Sequence, residues 1–351
     1  VVTRTPWEYY LCVDLVYLGT PVVETLRVLV TGGAGFIGSH LVRELISLGY
    51  EVRVLDNLSR GSLENLGNAL GSVELVLGDV RDPEVTARAL TGVDAVVHLA
   101  ALIDVEESIR LPELYTEVNL VGTLNLVRAS RRLDTFVFSS SASVYGDPVK
   151  VPIPETHPLS PKSPYAASKA AAELYIKTYS NLYGFRYVIL RLFNVYGPRQ
   201  SRFYSGVVVE FVRRALRGEP PVIYGDGEQT RDFVYVSDVV KAIVTVLKTK
   251  VSGVYNIGSG KPTRIIDLAY TVLRVVGAEN LRPEFREARP GDIKHSVADI
   301  SKATRELGFR PTVNLEAGLR LLADFYKRSD PHSSTSFKSS HGSSGSKFST
   351  S

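Results

Sequence analysis

The chain has 351 residues, enough for about two domains at ~150 residues each, or one large α/β unit with a smaller lobe. Its single cysteine, Cys12, excludes an internal disulfide framework and a cysteine-based metal cluster, and no run reaches the roughly 18 unbroken apolar residues of a membrane span. A net charge of +4 and a pI near 9.0, without a long basic run, give no case for nucleic acid and suit a cleft that accepts an anion.

Methionine is absent, and glutamine occurs only at Gln200 and Gln229, a weak thermophile signature. Val1 is therefore not a conventional start, and residues 1–25 read as an extension: Asp14 interrupts their apolar stretch and no basic segment precedes it. The first clean strand pattern is Leu26–Val30. Further β-branched runs follow at Glu51–Leu55, Val73–Leu77, Ala95–Leu99, Thr135–Ser139 and Tyr187–Leu190. Helical patterns at Phe36–Leu48, Pro112–Arg132 and Tyr165–Tyr183 separate several of them. Apolar strands alternating with amphipathic helices predict a doubly wound parallel sheet covered on both faces. From about Tyr204 the pattern changes to helices at Gly206–Arg217, Ile265–Val276 and Leu315–Lys327, with short isolated strands near Val222–Tyr224 and Val254–Ile257. We divide the chain into a dinucleotide-binding unit at 26–200, which also carries the catalytic residues, and a smaller C-terminal α/β substrate lobe at 201–328. Residues 329–351 read as a serine-rich disordered tail.

The run Thr31-Gly32-Gly33-Ala34-Gly35-Phe36-Ile37-Gly38 sits between the first strand and the first helix. Gly32, Gly35 and Gly38 permit a tight turn, close approach of backbone to a pyrophosphate and close packing of helix on strand. The helix N-terminus then holds the anion. Asp56 closes the second strand about 20 residues on, as a dinucleotide site requires. Its carboxylate suits ribose hydroxyls and repels a 2′-phosphate, so NAD is expected rather than NADP.

Tyr165 and Lys169 stand i, i+4 on a predicted helix and so share a face. A free phenol, with a pKa near ~10, is a poor base at neutral pH, and a neighbouring ammonium favours the phenolate. The serine run Ser139–Ser143 ends the fifth strand, where doubly wound sheets place their ligands. Together these features make Ser141, Tyr165 and Lys169 the candidate catalytic residues.

The Gly-x-x-Gly-x-x-Gly spacing, the serine run and the Tyr-x-x-x-Lys pair resemble the extended short-chain dehydrogenase/reductase family, whose fold is Rossmann-like. Within it, Phe136 to Gly146 resembles the UDP-glucose (UDP-galactose) 4-epimerases. The resemblance spans Leu26 to about Lys327. It implies that Asp79 and Val80 contact the adenine, that Leu99, Ala100 and Ala101 line the cofactor, and that Asn119 is the family's structural asparagine, grouped with the cofactor residues. Phe36, Ile37, Asn57, Ser59, Arg60 and Gly61 join that set, and Phe193 faces the nicotinamide.

For the substrate, the resemblance implies that Asn194 and Arg231 hold the diphosphate. Val207, Val222 and Tyr224 lie on the nucleotide side, with the last two beside the uracil. Arg289 is a second diphosphate arginine, Asp292 takes the uridine ribose, and Ser296 lies beside the sugar's C2 group. A small residue at Ser296 would admit N-acetylated sugars, unless it only packs against the lobe. Ser141 orients the reacting hydroxyl. Relatives that eliminate water or decarboxylate carry extra acids after that serine, whereas Ala142 and Ser143 follow here.

The expectation is thus NAD-dependent 4-epimerisation of a UDP-hexose by a cytoplasmic homodimer. No metal is implied, and neither nucleic acid nor membrane is an expected partner. A UDP-glucuronate 4-epimerase, or a regulator that binds NAD without catalysis, is the alternative.

Overall fold

The computed structural model describes residues 26–200, 206–288 and 293–329. Its centre is a seven-stranded parallel sheet. Six strands come in chain order: β1 (Arg27–Thr31), β2 (Glu51–Asp56), β3 (Val73–Leu77), β4 (Ala95–His98), β5 (Thr135–Ser141) and β6 (Arg186–Leu192). The seventh, Gly253–Ile257, lies at one edge, giving the spatial order 253–257, β6, β5, β4, β1, β2, β3. Chain order therefore reverses between β4 and β1, the point at which such sheets open a ligand crevice beyond their carboxyl ends.

The strands form here because their side chains are buried on both faces. Val28 and Val30 point into one core with Leu41, Leu45 and the later helices. Leu29 between them points into the other, with Leu55, Phe136, Phe138, Ala172 and Ile176. This is the two-residue alternation of a pleated strand, filled with apolar residues on each side. The first helix, α1 (Phe36–Ser47), covers one face, and the long helix Pro164–Tyr183 packs against β5 and β6 on the other. Ser163 caps that long helix by accepting from the Ala166 N–H (3.1 Å), with Pro164 in its first turn. Gly184, with φ of 81°, ends it in the left-handed region.

Two expectations are corrected. Val254–Ile257 is not an isolated strand of the lobe: Gly253–Ile257 pairs with β6 from Gly253↔Val188 to Ile257↔Leu192. The helix that leads into it, Val236–Lys248, was not anticipated and packs against α1. A short apolar run reads alike wherever it pairs, so membership of a sheet was not encoded in the run itself. Pro112–Arg132, expected as one helix, is a short α-helix at Pro112–Thr116, a π-helical turn at Glu117–Val121 and a second α-helix at Gly122–Ala129. The wide turn carries Asn119, whose side chain is the centre of a buried hydrogen-bond set described below.

The smaller sheets gather after β6. Asn194–Tyr196 pairs with Phe233–Tyr235, and Val222–Tyr224 pairs with Glu284–Arg286. Thr230–Arg231 lies between Thr263–Arg264 and His295–Ser296. Asp232, wholly buried, joins three passes of chain by accepting from the N–H groups of Ser259 (2.6 Å), Gly260 (2.9 Å) and Ala298 (3.1 Å).

Candidate active site

The glycine turn leaves β1 at Gly32, whose φ of 69° is left-handed. A Cβ on Gly32 would lie 2.7 Å from the Ala100 nitrogen, and one on Gly38 would lie 2.1 Å from the Gly32 carbonyl oxygen. Gly35 then begins α1 with no side-chain cap, which leaves the first-turn amides, among them those of Phe36 and Ile37, for an anion. Asp56 accepts from the N–H groups of Ala34 (2.9 Å) and Leu58 (2.8 Å), fixing its carboxylate beside the turn. Burial raises its pKa, opposed by those two amides.

The neighbouring residues fall along the same crevice. Asn57 donates to Asp79 (2.8 Å) and orders the loop by accepting from the Ser59 N–H (3.0 Å). Hydrogen bonds from the Arg81 side chain hold the Asp79 carboxyl down at about 2. Asp79, Arg81, Asp82, Glu117 and Val121 line an open hollow of about 500 Å³. The Val80 side chain is buried in the second core, so what Val80 offers a ligand is backbone. Arg60 places one nitrogen on both oxygens of Glu107 (2.6 and 2.7 Å), joining the loop behind β2 to the helix Val105–Arg110. Gly61 lies against Ala34, where a Cβ would meet backbone at 2.9 Å. The Leu99–Ala101 turn is tied to β1 by Leu99 N–H to the Thr31 carbonyl (3.1 Å) and Ala100 N–H to Thr31 Oγ1 (3.2 Å).

Asn119 is an internal brace, in keeping with the structural role the resemblance implies. It is 1% exposed, and its amide accepts from Leu102 N–H (2.9 Å) and donates to the Leu102 carbonyl (2.9 Å) and Ser168 Oγ (3.1 Å). It thereby ties the turn after β4 to the long helix. A second chain of bonds runs beside it. Thr123 Oγ1 donates to the Asn119 carbonyl (2.6 Å), so it accepts from His98 Nε2 (2.9 Å), and His98 Nδ1 in turn accepts from Thr31 Oγ1 (2.7 Å). Burial, with a smaller effect of Lys169, pushes the His98 imidazole down to about 3, so it is neutral.

The long helix presents Tyr165 and Lys169 one turn apart and both buried, and it packs against β5 and the turn Ala142–Tyr145. Tyr165 packs with Leu102 and stands edge-on to Tyr115 (6.4 Å between ring centres). The Lys169 ammonium lies 4.5 Å over the Phe138 ring. Burial lowers the Lys169 pKa to about 7, and Glu173 opposes that fall. Ser141 ends β5, which runs two residues further than expected, and its Oγ accepts from Ser143 N–H (3.2 Å) and Ser143 Oγ (2.9 Å). With both acceptor positions engaged, the Ser141 hydroxyl proton is left to point elsewhere. Phe193 packs with Val144, Tyr145 and Ala170 behind this corner.

On the lobe side, Asn194 donates from both its backbone and its side-chain amide to the Asp232 carbonyl (3.0 and 3.1 Å). Arg231 is the register partner of Ser296 and of Thr263, so the clamp candidate and the C2-pocket candidate share one small sheet. Val222 and Tyr224 lie on the strand paired with Glu284–Arg286, and Val207 opens the helix Val207–Leu216. Arg289 and Asp292 lie outside the described residues. Sequence reasoning missed Glu107, Ser143 and the pair Glu173–Arg191. Glu173 stands i, i+4 from Lys169, the same spacing that singled out Tyr165, and could have been found by it.

A family model described as GDP-mannose 4,6 dehydratase matches residues 29–322. The chain is an extended short-chain dehydrogenase/reductase. Among solved structures, it is 40% identical to a UDP-glucose 4-epimerase with UDP-glucose from Thermotoga maritima, with a TM-score of 0.83 over 87% of this chain and 99% of that one. It is equally 40% identical, with a TM-score of 0.83 over the same shares of both chains, to a UDP-N-acetylglucosamine 4-epimerase from Methanobrevibacter ruminantium in complex with UDP-N-acetylmuramic acid. A Thermus thermophilus UDP-glucose 4-epimerase in complex with NAD is 41% identical, with a TM-score of 0.79 over 86% of this chain and 99% of that one. Among the described residues, no helix is long and apolar enough to cross a membrane.

Proposed function

We propose that this family member is an NAD-dependent UDP-sugar 4-epimerase that interconverts UDP-galactose and UDP-glucose and also admits the N-acetyl sugars. The observation that carries the reading is the corner at the end of β5. A buried Tyr165–Lys169 pair lies on the helix that packs against β5 and the turn after it, and Ser141 at the end of that strand is followed by Ala142 and Ser143, with no carboxylate at those two positions for elimination or decarboxylation.

The turn fits a dinucleotide. The close approach at Gly38 and Gly32 leaves no room for a side chain, the α1 N-terminus is uncapped, and Asp56, fixed beside the turn by the Ala34 amide, is the carboxylate assigned to the ribose diol. Bound NAD supplies the two-electron acceptor and donor at C4 of the sugar. In this reading Tyr165, as phenolate, takes the proton of the 4-hydroxyl and later returns it. Lys169, one turn away, stabilises that phenolate electrostatically. Ser141, its hydroxyl supported by Ser143, orients the reacting oxygen. Arg231 and Asn194 hold the diphosphate, with Arg289 assigned beside them. The 4-keto sugar can then turn about its link to a fixed phosphate before reduction on the opposite face. Guanidinium suits that task because it keeps its charge and offers paired donors.

Exposed apolar side chains support a homodimer through the long helix Pro164–Tyr183: Leu174 (61% exposed) and Leu182 (68%) lie on it, and Ile109 (64%) lies on the helix Val105–Arg110 packed against it. We place the enzyme in the cytoplasm. The test is incubation of the purified protein with UDP-galactose and, separately, UDP-N-acetylgalactosamine, with products resolved chromatographically. Tyr165→Phe should lose turnover by about 10²–10⁴-fold while retaining NAD. No product from either sugar, or an undiminished rate in the variant, would overturn the reading.

A further inference from the structure

Behind the proposed catalytic corner lies an ion pair that the chemistry above does not use. Glu173, on the long helix, and Arg191, on β6, have side chains 0% and 4% exposed. Arg191 grips the carboxylate with two nitrogens, Nε to Oε1 (3.0 Å) and Nη2 to Oε2 (2.7 Å). Ser140 Oγ donates to the same Oε1 (2.6 Å). The other face of the guanidinium is engaged too: Nη1 donates to Tyr145 OH (3.0 Å) and to the Glu155 carbonyl (3.0 Å). Tyr145 OH donates onward to Asn256 Oδ1 (2.7 Å), on the edge strand Gly253–Ile257.

This placement ties the helix that carries Tyr165 and Lys169 to the strand that ends at Ser141. Glu173 follows Lys169 by one helical turn and Tyr165 by two, and its carboxylate bonds the residue directly before Ser141. Ser140 and Arg191 are register partners on β5 and β6. One carboxylate therefore fixes the helix bearing Tyr165 and Lys169 against the strand bearing Ser141. A buried ion pair often adds little net stability over apolar packing, so stability alone gives no reason for one here.

We propose that Glu173 is a positioning residue for the reaction: held by Arg191 and Ser140, it supplies the buried counter-charge that keeps Lys169 an ammonium beside Tyr165. The inference rests on the epimerase reading of the Tyr165–Lys169 pair. The charged and titratable groups around Lys169 are few. On its own helix they are Tyr165, Glu173 and, at the rim, Lys177, which lies 4.0 Å from Glu173. From β4 comes neutral His98, from β6 Arg191, and from the turn after β5 Tyr145. Among these described residues Glu173 is the one anion. Burial works against the Lys169 cation, and Glu173 is what opposes it.

The experiment compares the pH dependence of kcat/KM for UDP-galactose in the NAD-loaded wild type, in Glu173→Gln and in the double variant Glu173→Leu with Arg191→Met. The double variant removes both charges at once and so leaves no unpaired buried ion, which keeps the test open if Glu173→Gln does not fold. The basic limb should move at least one pH unit toward acid in Glu173→Gln, and in the same direction but by less in the double variant, where the Arg191 cation is lost as well, with KM within about twofold. A ¹³Cε NMR titration of Lys169 in the NAD-bound proteins should show the same shift, and it reads the proposal even in a protein that turns over no UDP-hexose. Absence of wild-type epimerisation would count against the function proposed above. A Lys169 titration that stays in place when the carboxylate is removed would overturn the present inference and leave Glu173 a packing element.

Discussion

The backbone at Gly38 lies so close to Gly32 that a Cβ there would stand 2.1 Å from the Gly32 carbonyl oxygen. Neither atom is the end of a flexible side chain, so the turn itself must open to admit a methyl group. Gly38→Ala should reduce the NAD carried through purification by at least about tenfold and lower stability by about 1–3 kcal/mol, the usual cost of overpacking. Cofactor content by absorbance and a thermal melt check this. A full complement of NAD in the variant would contradict it.

His98 makes the fold sensitive to acid. Its imidazole is held at about 3 by burial, whereas in the unfolded chain it protonates near ~6.5. Between these values the unfolded state binds the extra proton, so stability falls as pH falls from about 6.5 toward 3. His98→Asn removes that contribution. The variant should be less stable at pH 7.5 by about 1–3 kcal/mol through lost buried hydrogen bonds, yet show a shallower decline on acidification. Urea midpoints at several pH values between 4.5 and 7.5 measure both effects, and parallel curves would exclude His98 as their source.

Arg60 and Glu107 join two segments that flank the cofactor crevice. The pair is partly exposed, with side chains 35% and 21% accessible, so its worth is at most about 1 kcal/mol. Arg60→Ala should therefore raise the NAD dissociation rate by up to about fivefold without altering kcat in excess NAD. Stopped-flow displacement of the bound cofactor gives the rate, and an unchanged value would show that the bridge has no part in retention.

Ser296 is buried and paired in register with Arg231. Ser296→Tyr should abolish turnover of UDP-N-acetylgalactosamine while leaving that of UDP-galactose within a few-fold. Equal losses on both sugars would mean that Ser296 only packs the small sheet.

The main sheet was legible because β1 and β4 are apolar on both faces and β2 and β5 carry apolar residues toward both, and short apolar runs bounded by turn residues have few other readings. Tyr165 and Lys169 were legible because one helix carries both, so spacing along the chain is spacing in space. The Arg191–Glu173 pair was not, since its members lie on different elements and only the packing of the helix on β6 joins them. The edge position of Gly253–Ile257 escaped for the same reason: a strand's own residues do not name its neighbour. The turn at Glu117–Val121 carries a buried asparagine whose partners, Leu102 and Ser168, are distant in sequence, so nothing local announces it.

The return of the chain to the sheet at Gly253–Ile257 bears on how a sugar ring could reorient inside the protein. The segment carrying Arg231 is anchored at both ends, through Asn194–Tyr196 after β6 and through the helix leading back to the edge strand, and Asp232 rivets it to two further loops. Such a segment is not a jaw on a hinge. In the proposed reaction the 4-keto sugar would turn beside a segment pinned at both ends, so the side chains that segment carries, Arg231 and its register partner Ser296 among them, are what natural variation would adjust to change which sugars can turn over.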